Sequence, residues 1–155
     1  MLKKIIISQL FMSILTFFIV VQANAEIPSI QEANDWKVEI ENPSSNPRLV
    51  KAEKNKTNVY SMTVTNKGSK VHNVKVLIFR NDPKEQMKYG LIPEVKQDVL
   101  THKGMVKFSN IPIDIKAKDL EVSIVWEKSP FKDKNGKELR GRMFSQAFHF
   151  DPSHK

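Results

Sequence analysis

From Trp36 to Phe150, apolar and polar positions alternate with the period of a β-strand, and no long stretch keeps helical spacing. Trp36, Val38 and Ile40 alternate with Lys37, Glu39 and Glu41, the pattern of a strand with one wet face. The run Asn42-Pro43-Ser44-Ser45-Asn46-Pro47 ends it, because its prolines remove backbone donors and Asn and Ser compete for local hydrogen bonds. Tyr60, Met62 and Val64 then alternate with Ser61, Thr63 and Thr65. Beyond Asn66-Lys67-Gly68-Ser69, Val74, Val76 and Ile78 alternate with Lys75 and Leu77. Two such strands around an Asn-x-Gly turn predict a hairpin. Leu77 and Phe79 predict burial on both faces near the second strand's end, and Asn81-Asp82-Pro83 stops it.

The region from Lys84 to His102 reads as a long connection with room for one short edge strand. Met105–Phe108 predicts a strand and Ile111–Ile115 a separate short one or an extended crossing. Leu120, Val122, Ile124 and Trp126 form the clearest alternation, answered by Phe144, Gln146, Phe148 and Phe150. Those two strands predict a hairpin with Trp126 and the phenylalanines on its core face. About seven strands with turn signals every ten residues or so predict an all-β fold, an antiparallel β-sandwich.

The segment from Thr57-Asn58-Val59-Tyr60 through Thr65-Asn66-Lys67-Gly68 to Val74-Lys75-Val76 resembles the immunoglobulin-like modules of bacterial exported proteins. The resemblance implies an immunoglobulin-like β-sandwich used for adhesion, spacing or binding, and it brings no catalytic residue. The cysteine pair of antibody-type domains is missing, since the chain has no cysteine.

The front of the chain is different. Lys3 and Lys4 precede the charge-free apolar run Ile5–Val21, and Ala23-Asn24-Ala25 is the small-x-small pattern of a signal peptidase site. This predicts a cleavable signal peptide over residues 1–25, with Glu26 first in the mature chain. An uncleaved anchor is the alternative, but Ser8, Gln9, Ser13 and Thr16 dilute the run. The expected division is signal peptide 1–25, linker 26–35, sandwich domain 36–151 and tail 152–155. The protein is thus expected outside the cytoplasm, whether secreted, at the cell surface or in a periplasm. Membrane contact would be transient, through the signal peptide. Abundant Lys, Ile and Asn suggest a bacterial source.

Composition narrows the function classes. Without the first 25 residues, 130 remain with 23 basic and 17 acidic side chains, a net charge of +6 against +8 for all 155 residues. That length fits one domain and argues against a multi-domain enzyme. Zero cysteine excludes disulfide stapling and thiolate-held metal. His72, His102, His149 and His154 lie in different segments without metal-ligand spacing. The cluster His149, Asp151 and His154 reads as a frayed polar tail. Glu39 with Glu41, and Asp119 with Glu121, share wet strand faces and read as solvated charges rather than acid–base pairs. No serine sits in a nucleophile elbow, and five glycines include no phosphate-cradling loop. The expectation is a non-enzymatic protein with no metal and no cofactor.

Charge distribution is more informative. Residues 128–155 carry 7 basic and 3 acidic groups. Lys128, Lys132, Lys134, Lys137, Arg140 and Arg142 fall between the last two predicted strands, opposed only by Asp133 and Glu138. The loop should project from one end of the sandwich as a basic finger bearing Phe131 and Leu139. One reading is contact with an anionic partner: a cell-surface polymer, acidic lipid headgroups or another exported protein. The other is a solvated loop that aids solubility. Nucleic acid is disfavoured by export and by a single loop aromatic. Pairing through an exposed strand edge, with 84–102 as the edge, is a second binding mode. A structural subunit or a small extracellular hydrolase are the remaining classes.

Overall fold

The period-two alternation is realised as strands throughout. The computed structural model describes residues 25–26, 29–82 and 84–153. Residues 1–24 of the expected signal peptide, and His154, lie outside the described residues. The described residues contain no helix. Their strands are β1 (Ala25–Glu26), β2 (Ser29–Glu32), β3 (Trp36–Glu41), β4 (Thr57–Asn66), β5 (Val71–Asn81), β6 (Lys88–Gly90), β7 (Val95–Leu100), β8 (Met105–Asp114), β9 (Leu120–Glu127), β10 (Phe131–Lys132), β11 (Glu138–Leu139) and β12 (Met143–Asp151).

One sheet runs β1-β12-β9-β5, with β6 and β7 both paired to the far edge of β5; a second runs β2-β3-β4-β8. Every pairing is antiparallel except β1 with β12. The apolar faces meet in one buried cluster. Trp36, Val38, Ile40, Met62, Val64, Phe108 and Ile113 come from one sheet, and Val74, Val76, Ile78, Leu120, Val122, Ile124, Trp126, Phe148 and Phe150 from the other. Trp36 and Trp126 meet edge-to-face with centroids 5.3 Å apart, and Trp126 stacks on Phe144 at 5.9 Å. The expected β9–β12 hairpin is present, with Trp126 opposite Phe144 and Leu120 opposite Phe150.

Four expectations need correction. The strands flanking Asn66-Lys67-Gly68 do not form a hairpin: β4 pairs with β3 and β8, and β5 with β6, β7 and β9. Alternation shows that a strand has a buried face, but that face is covered equally well by the opposite sheet. The stretches Met105–Phe108 and Ile111–Ile113 are one strand, β8, kinked where the β4 register slips and Asn110 adopts φ 53°. Pro112 is tolerated because β8 is an edge strand. Residues expected in a linker include β2, which pairs with β3. Finally, His149 and Asp151 are not frayed tail but part of β12.

Buried asparagines tie the connections where a cysteine-free chain has no cross-link. Asn66 is fully buried. Its Nδ2 donates to Ser69 O, Leu100 O and Thr101 O at 2.8–3.1 Å, and its Oδ1 accepts from Gly68 N–H at 2.9 Å. Two turns at one end of the molecule are thereby joined. Asn110 does the same for the 42–50 loop, donating to Ser44 O and Val50 O and accepting from Ser44 N–H.

A basic hairpin as candidate functional site

The β9–β12 connection folds as a small hairpin of its own. Among the described residues β10 and β11 pair only with each other, Phe131 opposite Leu139 and Lys132 opposite Glu138. Residues 131–140 are exposed apart from Asp133, so the hairpin stands clear of both sheets. Its tip is fixed by Asp133. The carboxylate accepts the backbone N–H groups of Asn135 and Lys137 at 2.8 and 2.9 Å, and Gly136 takes φ 79°, the left-handed conformation glycine adopts without strain. One of the two acids of this segment is therefore spent on the turn amides, while Lys134 and Lys137 beside it form no ion pair among the described residues.

The base is just as defined. Glu127, 3% exposed, accepts at Oε2 from Gly141 N–H at 2.9 Å and from Asn73 Nδ2 at 3.1 Å. Asn73 reaches it from a bulge in β5 where its φ is 49°. Gly141 is obligatory, since a Cβ there would stand 2.2 Å from Ser129 O. Lys128 and Arg142 lie over the Phe144 ring at 5.1 and 5.7 Å from its centroid. Between base and sheet lies a groove of about 420 Å³, lined by Val125, Leu77, Asn73, Gln97, Met143 and Arg140 among others.

The six cations predicted for this loop thus fall into tiers. Lys132, Lys134 and Lys137 project on the hairpin, Arg140 enters the groove rim, and Lys128 and Arg142 lie on the aromatic platform.

A second cluster was not visible in the sequence. Asp119, the residue before β9, and Glu121 of β9 come together with His149 of β12, and one potential ligand atom from each lies within 4.8 Å of the others. His149 Nδ1 is 2.9 Å from Asp119 Oδ1. Lys88 of β6 bonds Glu121 and lies 3.7 Å from Asp119. That hydrogen bond with Glu121 holds the Lys88 ammonium above its ordinary pKa. The carboxylates were expected as solvated charges; strand pairing makes them partners of a histidine and a lysine. The three could in principle ligate a divalent cation, but Lys88 already supplies a positive charge there. On the β7 side, hydrogen bonds from Lys96 and then Lys75 hold Glu94 below the ordinary carboxylate range.

A family model for YozF-like secreted proteins matches residues 21–155. The chain belongs to the YozF-like secreted protein family. Members are secreted proteins, so the expected export stands as a property of the family. The chain is also similar to YozF of Bacillus subtilis (strain 168), 26% identical over 137 residues that cover 80% of this chain and 78% of that one. No solved structure matches it significantly. No helix among the described residues is long and apolar enough to cross a membrane. In this YozF-like protein, then, the basic hairpin is displayed by an exported all-β scaffold.

Proposed function

We propose that the protein is a non-enzymatic, exported binding module that holds an anionic partner on the β10–β11 hairpin. The observation that carries this reading is the hairpin itself. It is hydrogen-bonded at tip and base, stands clear of the sheets, and presents Lys132, Lys134 and Lys137 while its nearest acid, Asp133, accepts from turn amides. A solvated loop kept only for solubility needs neither anchor. The partner must offer a dense array of phosphates or carboxylates, as a cell-surface polymer or the acidic face of another exported protein does. The order β3-β4-β8 opposite β5-β9-β12 supports an immunoglobulin-like reading of the scaffold, a fold that places binding residues in end loops.

Reversing Lys134, Lys137 and Arg140 to Glu should abolish retention of the protein on isolated cell envelopes, and raised salt should weaken retention of the wild type. Retention unchanged by both would refute the reading.

A second reading rests on β12. Among the described residues its partner beyond β9 is β1, at Phe150 and Asp151, and Met143–Ala147 pair on the β9 side alone. Of its outward carbonyls, Ala147 O accepts only from the side chain of the neighbouring Gln146, which an incoming strand could displace. An extended segment of another exported protein could add at this edge. Such a complex would survive salt that strips the hairpin's partner.

A further inference from the structure

The hairpin carries more than charge. Phe131 is 61% exposed and Leu139 47% exposed, and they face each other across β10 and β11 on one side of the hairpin. Lys132 and Glu138 occupy the other side. A soluble polyanion or an acidic protein loop needs the cations but leaves this apolar pair in water. A bilayer surface uses both: apolar side chains enter the boundary between headgroups and acyl chains, and lysines and arginines stay among the headgroup phosphates.

We propose that the β10–β11 hairpin docks on the surface of an anionic phospholipid membrane, seating Phe131 and Leu139 at the headgroup–acyl boundary. This rests on the reading of the hairpin as the anionic-partner site and narrows that partner to lipid. Three features fit. The hairpin is two residues per strand with a tight tip, short enough to seat in the interfacial layer without carrying the sandwich with it. Its tip conformation is preset by Asp133 and Gly136, so little ordering is needed on docking. Lys134 and Lys137 follow at the tip, Arg140 adjoins Leu139 in the chain, and Lys132 adjoins Phe131 on the opposite face, all exposed, so that long cationic side chains flank the apolar pair along the hairpin.

The test is vesicle co-sedimentation of the exported chain with phosphatidylglycerol–phosphatidylcholine vesicles and with pure phosphatidylcholine, alongside binding to inorganic polyphosphate as a soluble polyanion. The wild type should sediment with the anionic vesicles only. Phe131→Ser with Leu139→Ser should weaken vesicle binding about tenfold or more and leave polyphosphate binding unchanged. Reversal of Lys132, Lys134 and Lys137 to Glu should abolish both. A Phe131→Trp variant should shift its fluorescence to the blue on adding anionic vesicles, a direct readout of insertion. Full vesicle affinity in the Ser double variant, or polyphosphate binding without vesicle binding in the wild type, would overturn the lipid assignment while leaving an anionic partner in place. Binding to neither would overturn the lipid assignment, and retention on cell envelopes would then decide the broader reading.

Discussion

Glu127 ends β9 with a buried carboxylate, and two donors from separate segments converge on it. Removing the acceptor leaves Gly141 N–H and Asn73 Nδ2 without a partner. Glu127→Ala should therefore cost about 1–3 kcal/mol in urea unfolding, whereas Glu127→Gln, which keeps one acceptor oxygen, should cost less. Loss of similar size in both variants would mean that the charge rather than the acceptor matters. Asn66 makes a stricter demand, because its side chain meets carbonyls of two turns in a site without solvent. Asn66→Leu keeps much of the volume and strips every hydrogen bond, and should lose about 2 kcal/mol or more in the same experiment. These roles could not be read from sequence. Asn66 looks like an ordinary turn residue, and its partners Leu100 and Thr101 are brought to it only by the fold.

At the scale of elements, the long alternating strands were legible, but of their pairings only the β9–β12 hairpin was. Alternation located β3, β4, β5, β9 and β12, because a half-buried strand writes its period directly into the chain. It could not say that β4 and β5 belong to different sheets, since both arrangements bury the same residues. The cluster of Asp119, Glu121, His149 and Lys88 escaped for the same reason: it exists only through the registers that join β12 to β9, β9 to β5 and β5 to β6. The basic finger was legible as composition, but its tiers depend on Phe144 and on the groove. Because β10 and β11 pair with nothing else, replacing 131–139 by a short Gly/Ser turn should shift Tm by no more than a few degrees. A large drop would show that the hairpin supports the core. β7 is held differently, through Glu94 bridged to Lys75 and Lys96 at 3.3 and 3.1 Å. Glu94 has a lowered pKa in the folded protein, so this tie is fully present above the ordinary carboxylate range and is lost as pH falls through the folded value. Protection factors of β7 amides, corrected for the intrinsic pH dependence of exchange, should fall on acidification before those of β9 do.

The whole molecule is a single core closed from two sides without a cross-link. Ile124, fully buried at its centre, should cost about 2–5 kcal/mol on truncation to Ala in urea unfolding, and reductant should change neither protein. The parallel pairing of β1 with β12 adds a constraint in time rather than in energy. The bond expected to be cut, between Ala25 and Glu26, lies inside β1, against Phe150 and Asp151. A peptidase acts on an extended bond it can grip, and a docked strand is withheld from it. β12, however, is the last strand in chain order. While the chain is threaded across the membrane from its front, the partner that would shield the cleavage site is the last to arrive. Processing therefore has the whole transit of the chain in which to finish, and the final closure of the sheet marks the moment when that window shuts.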